Sequence, residues 1–150
     1  MDDLSSEIIF RRMEETDTAR AAQMEAEASK EAWSQKSYLD ALANENAYYL
    51  VAQQGGGVVA CCGFWQSFEE ADICNVVVEE RFRRRGIARM MLLALMREGK
   101  ARGIERFTLE VRSSNMPAIR LYEKLGFVTE GVRKGFYENP KEDALIMWKR

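Results

Sequence analysis

No histidine occurs anywhere in the 150 residues, and the three cysteines, Cys61, Cys62 and Cys74, form neither an even disulfide set nor a metal-ligand spacing. A zinc site is therefore not expected, and no other metal is called for; the cysteine usage fits a reducing compartment. No apolar run approaches the roughly 18 residues of a membrane span, and the acidic, polar start has no apolar export-signal core. The expectation is a cytoplasmic protein with no membrane segment. Excess positive charge is missing too. With 22 Lys+Arg against 24 Asp+Glu and a net charge of −2, general polyanion binding is excluded, and any nucleic-acid contact would need a local patch. Internal repeats, low-complexity tracts and linkers are also absent, so residues 1–150 are read as a single domain long enough to bury a core. A composition 47% apolar and 31% charged is that of an ordinary soluble globular protein.

What is present is a regular succession of elements. Glu7 to Met13 reads as a strand, and Thr16-Asp17-Thr18 offers caps for a helix reaching about Ala28. A second helix opens behind Trp33, with Ser34 as its cap. Tyr48 to Gln53 and Val58 to Ser67 read as strands joined by a turn at Gly55-Gly56-Gly57, and Ala71 to Val78 as the next strand. Gly86 to Arg102 is a helix stopped by Gly103, Ile104 to Arg112 a strand, and Asn115 to Leu125 a helix ended by Gly126. Phe127 to Tyr137 and Asp143 to Lys149 close the chain as strands. The order β α α β β β α β α β β is mixed α/β, with two strand-to-helix crossovers in the middle.

The junction after Val76-Val77-Val78 carries the chemistry. Arg81, Arg83, Arg84 and Arg85 crowd the turn before a helix that starts near Gly86. A helix N-terminus already carries about half a positive charge, so cations there destabilise it by a few tenths to about 1 kcal/mol each. An anion reverses that. A phosphate held by successive backbone N–H groups and flanked by guanidinium groups makes the cluster favourable, with Gly86 permitting close approach and small Ala88 not obstructing it. The alternative is a solvated basic patch or a surface for nucleic acid or anionic lipid.

Arg83-x-x-Gly86-x-Ala88 after a valine-rich strand resembles the acyl-CoA pyrophosphate motif of the Gcn5-related N-acetyltransferases, the GNAT family. Leu109-Glu110-Val111-Arg112-Ser113-Ser114-Asn115 and Ala118-Ile119-Arg120-Leu121-Tyr122-Glu123-Lys124-Leu125-Gly126-Phe127 resemble its ribosomal-protein-alanine, or RimI-type, branch, and the likeness runs from about Ile8 to Trp148. It implies a mixed, mostly antiparallel sheet with flanking helices and a splayed central strand pair. Acetyl-CoA would be the co-substrate and the N-terminal α-amine of a ribosomal protein the acceptor, by direct attack. The motif assigns cofactor binding to the main chain of Val76, Val77 and Val78 and to Arg83, Arg84, Arg85, Gly86, Ile87 and Ala88, with Asn115 on the CoA arm. Glu80 stands where many relatives have proline, and Ala88 replaces a common glycine.

Read from the residues alone, Glu110 shares one strand face with Thr108 and Arg112, and is either paired with Arg112 or another arginine or placed for function. The resemblance makes it the general base. Tyr122 shares a helical face with Ala118, Leu121 and Leu125, which also suits a core aromatic. By resemblance it is the general acid. Asn115 is a helix cap by propensity. Trp33 and Tyr137 border the acceptor groove of RimI-type enzymes, or pack a helix start and a hairpin. Glu69, Glu70, Asp72, Glu79 and Glu80 would attract a basic partner if they are not simply solvated. An α-amine, with a reference pKa of about 7.7 to 8.0 against about 10.4 for lysine, is the easier acceptor to deprotonate. Acetylation of a lysine or small amine, and non-catalytic acyl-CoA binding, are the alternatives.

Overall fold

The computed structural model describes residues 7–150. Among these, seven strands form one sheet: β1 (Ile8–Arg12), β2 (Ala47–Gln54), β3 (Gly57–Ser67), β4 (Glu70–Val78), β5 (Arg106–Arg112), β6 (Val128–Tyr137) and β7 (Glu142–Lys149). Their spatial order is β1-β2-β3-β4-β5-β7-β6. Only the β4–β5 pair is parallel; the others are antiparallel. Four helices accompany them: α1 (Thr18–Ala28), α2 (Gln35–Leu42), α3 (Ile87–Ala101) and α4 (Met116–Lys124). The sheet class and its flanking helices agree with the expectation.

The two faces bury separate cores. On one, Met91, Leu92, Leu95 and Met96 of α3 and Ile119 and Tyr122 of α4 meet Leu50, Phe64, Ile73, Phe107, Leu109 and Val111. On the other, Ala21 and Met24 of α1 and Tyr38 and Ala41 of α2 meet Tyr49, Val51, Cys61 and Val77. Strand β2, inside the sheet, is therefore apolar at nearly every position, as a strand covered on both sides must be. β5 alternates instead, with Phe107, Leu109 and Val111 buried and the intervening residues half-buried.

Several boundaries moved by a residue or two, three of them for identifiable reasons. Ile104 and Glu105 are not in β5: Ile104 is buried in the helix-to-strand connection, its N–H donating to Gly99 O at 3.0 Å. Glu70 joins β4, where it pairs with Arg106 across the parallel register and through a 2.8 Å contact to its side chain. Phe127 closes α4 rather than opening β6. Gly126, at φ 100, lets the Phe127 N–H reach Tyr122 O at 3.0 Å and its own N–H reach Glu123 O at 3.0 Å, a Schellman ending. The Tyr122 and Phe127 rings meet edge-on across that turn, with centroids 6.0 Å apart. The second crossover is also less simple than expected, because β7 inserts between β5 and β6.

Candidate active site

β4 and β5 are hydrogen-bonded neighbours over three residue pairs only, Glu70 with Arg106, Ala71 with Phe107 and Asp72 with Thr108. Beyond that point the strands part. β4 carries a bulge at Asn75, which adopts φ 56 and shifts the β3–β4 register between Cys61 and Gly63. Asparagine tolerates this left-handed conformation better than the valines that follow. After the bulge, Val77 points into the α1/α2 core while half-buried Val76 and Val78 pack against the α3/α4 core. The β5-facing main chain of Val76, Val77 and Val78 has no β5 partner, which leaves backbone groups for a ligand.

Just past β4, Glu80–Phe82 forms a single 3-10 turn and the chain enters the arginine loop. Phe82 is buried, and Arg81 and Arg85 lie over its ring at 5.6 and 5.7 Å. Arg83 Nε donates to Val78 O at 3.0 Å, tying the loop to the end of β4. Arg84 (φ 63) and Gly86 (φ 78) both have left-handed backbone, with Arg85 between them, the kind of turn in which backbone N–H groups form an anion-binding concavity. Gly86 is the N-cap of α3 with no side-chain cap bond, followed by buried Ile87 and half-buried Ala88. A Cβ on Gly86 would meet nothing within 4 Å, so its positive φ, not crowding, is what calls for glycine there. Uncapped N–H groups, a positive helix end and exposed guanidinium groups on Arg83, Arg84 and Arg85 make a site that fits a diphosphate.

Glu110 and Tyr122 lie on opposite faces of the sheet. The alternation of β5 puts Glu110 on the face away from α3 and α4, whereas Tyr122 lies in the α3/α4 layer. Glu110 Oε1 faces Arg133 Nη1 at 3.5 Å, while Oε2 is buried without a hydrogen bond. The paired-arginine reading is thus met by an arginine other than Arg112. Arg112 is taken up by Glu142 at 3.2 Å, Pro140 O at 2.9 Å and Glu31 at 3.4 Å. Tyr122 is 7% exposed, and burial, then the nearby Cys62 and Tyr137, push its phenol pKa well up, so it stays protonated through neutral pH. Asn115 caps α4, its Oδ1 accepting from the Ala118 N–H at 3.3 Å, as propensity predicts.

Trp33 and Tyr137 sit at the rim on the Glu110 side. Trp33 is half-buried, its ring 5.3 Å from that of Tyr38 and 6.0 Å from that of Tyr49, so the packing role is real. Tyr137 is half-buried beneath the Arg112 guanidinium at 4.3 Å, and burial followed by the charge of Glu110 pushes its pKa up to about 12. Glu31 joins the two rims: its Oε1 accepts from the Glu138 N–H at 2.6 Å and faces Arg112.

Of the acidic residues, Glu69 and Glu70 are engaged by Arg106 and Glu79 by Arg81, so they are less available to a partner than their number implied. Asp72 differs. Although it is exposed as a residue, desolvation of its carboxyl, then repulsion by Glu110, push it up to about 6 against the opposing charge of Arg133. Asp72, Glu110 and Arg133 thus form a charged group at the mouth of the gap. Arg133 and Asn75 were missed by sequence reasoning, since neither sits in a motif. No group of side chains among the described residues could hold a metal ion, and none of the described helices is long and apolar enough to cross a membrane.

Comparison with known proteins agrees with this fold. Residues 13–127 match the Acetyltransferase (GNAT) family. A relative from Escherichia coli (strain K12) named [Ribosomal protein bS18]-alanine N-acetyltransferase is 35% identical over 139 residues, covering 90% of this chain and 92% of its own. The crystal structure of the ribosomal-protein-S18-alanine N-acetyltransferase from Escherichia coli superposes with a TM-score of 0.87 at 32% identity, covering 95% of this chain and 93% of that one. Ard1 from Thermoplasma volcanium gives a TM-score of 0.87 at 28% identity over 95% and 96% of the two chains. The chain belongs to the GNAT family of acetyltransferases.

Proposed function

We propose that residues 1–150 act as one cytoplasmic acetyltransferase domain that moves the acetyl group of acetyl-CoA onto the N-terminal α-amine of an alanine-initiated protein, ribosomal protein S18. The observation that carries this is the parting of β4 from β5 beyond Asp72, with Glu110 on one face of the sheet and Tyr122 on the other. The similarity to the Escherichia coli relative supports the acceptor. In this reading the Arg83–Ala88 loop, with Ile87 opening the helix, holds the diphosphate, the Val76–Val78 main chain binds the acyl arm, and Asn115 borders it.

The amine nitrogen attacks the thioester carbonyl carbon, and its proton passes to Glu110, whose Oε2 has no other partner. The C–S bond then breaks, and the Tyr122 hydroxyl donates to the departing sulfur. Because burial raises the phenol, Tyr122 stabilises the thiolate first as a hydrogen-bond donor and releases its proton only as negative charge accumulates on sulfur. Glu110 then gives its proton to solvent, and Tyr122 takes one back. Trp33 and Tyr137 grip the peptide at the rim.

The test is to incubate the protein with acetyl-CoA and a peptide carrying the first residues of S18, with lysine-only and polyamine acceptors in competition. Mass spectrometry should find one acetyl group on the alanine nitrogen and CoA released in equal amount. Unmodified peptide, or preferential acetylation of lysine or the polyamine, would overturn the assignment.

A further inference from the structure

The mechanism leaves two buried carboxylates without a task, Asp17, which is paired with Arg11 at 2.8 Å, and Glu25. Glu25, on the inner side of α1, is only 7% exposed and accepts hydrogen bonds on both oxygens. Oε1 takes the Tyr38 hydroxyl at 3.1 Å and Asn75 Nδ2 at 2.7 Å, while Oε2 takes the main-chain N–H of Trp33. The donors come from three places: α2, the segment before α2 that carries the acceptor-side aromatic, and the β4 bulge next to the strand gap. Asn75 is held from its other end as well, its Oδ1 accepting the Tyr49 hydroxyl at 2.6 Å.

A buried charge is costly to keep, and core packing alone would be served as well by an apolar side chain. What an apolar residue cannot do is accept at two oxygens at once. We propose that Glu25 is a positioning residue for acceptor recognition: one carboxylate grips the Trp33 amide and the Asn75 side chain, and so sets the acceptor loop at a fixed place relative to β4. The inference rests on the acetyl transfer to a protein amine proposed above, and gives that reaction a specificity device outside its reacting groups.

The chemistry of the amide analogue makes the idea testable. In Glu25→Gln, an oxygen turned to keep Tyr38 and Asn75 leaves the NH2 group facing the Trp33 N–H, two donors in opposition. The loop is released while the bulge stays anchored. Steady-state kinetics with acetyl-CoA and the alanine-initiated peptide should therefore give an acceptor KM raised about tenfold, the effect of about 1.4 kcal/mol, with the acetyl-CoA KM unchanged. Tyr38→Phe keeps the Trp33 and Asn75 bonds and should leave the acceptor KM as it is. Asn75→Gly retains the left-handed backbone, cuts the same link at its other end, and should raise the acceptor KM as well. Because both substitutions break one connection, the double variant should be no worse than the poorer single one. If Glu25→Gln does not fold, Asn75→Gly alone decides the matter. An unchanged acceptor KM in a folded variant, or equal increases in both KM values, would overturn the inference. Wild-type protein that acetylates no peptide would instead sink the functional reading beneath it.

Discussion

Gly63 is the position at which one added methyl group should do the most damage to the site. It lies in β3 opposite Cys74, at the register shift that accompanies the Asn75 bulge. A Cβ there would fall 2.3 Å from Tyr49 Cδ2, 2.4 Å from Cε2 and 2.5 Å from Cγ. Carbon atoms rest at about 3.5 to 4.0 Å, so the ring would have to retreat by at least about 1 Å. It has nowhere to go. Tyr49 is 1% exposed, meets Tyr38 edge-on and Trp33 at a tilt, and its hydroxyl donates to Asn75 while accepting from Trp65 Nε1 at 3.2 Å. Overpacking costs about 1 to 3 kcal/mol and a lost buried hydrogen bond about 1 to 3 more, so Gly63→Ala should destabilise by about 2 to 6 kcal/mol. At about 2 to 4 °C per kcal/mol for a chain of this size, the melting temperature should fall by about 4 to 24 °C. Gly57→Ala is the control, because its Cβ meets only Gln54 O at 4.0 Å, and it should stay within about 0.5 kcal/mol of wild type. Urea titration at a single temperature, followed by circular dichroism, measures both. A Gly63→Ala protein as stable as wild type would show that Tyr49 does not hold the bulge in the way described.

Three further outcomes follow from the site. Glu110→Gln should lower kcat by about 100-fold to 10,000-fold, the worth of a general base, with the CoA dissociation constant measured by calorimetry unchanged; wild-type turnover would assign Glu110 to the Arg133 ion pair alone. Tyr122→Phe should slow transfer without lowering the melting temperature, since the ring contact with Phe127 survives; full activity would leave Tyr122 a packing residue. Asp72 in the folded protein keeps its proton up to about 6, whereas an unfolded aspartate loses it near about 3.9. Between those values the native state binds more protons, so stability falls as pH rises through that window, and the loss is complete above it. Asp72→Asn should then melt higher than wild type at neutral pH and equally below about pH 4; a difference independent of pH would refute the assignment.

The parts legible in the sequence are those written in local patterns. The alternation around Phe107, Leu109 and Val111 places Glu110 on the correct face of β5, and Gly126 marks the end of the helix that carries Tyr122. The arginines before Gly86 announce an anion site because their charge is wrong for a free helix end. Long-range pairing is different. Nothing near Glu142–Lys149 says that this strand inserts between β5 and β6, and Arg112, the nearest arginine to Glu110 along the chain, is diverted to Glu142 and the Tyr137 ring. Glu25 reads as one more solvent-facing acid in a helix rich in alanine and glutamate, and Asn75 as an interruption among valines. Their roles appear only when α1, α2 and β4 are brought together.

The most direct measurement is a crystal structure with acetyl-CoA bound. The diphosphate should lie against the N–H groups from Arg84 to Ala88, with the thioester in the gap where β4 leaves β5, between Glu110 and Tyr122. Coenzyme bound elsewhere, with that gap closed by pairing of Val76–Val78 to β5, would contradict the account.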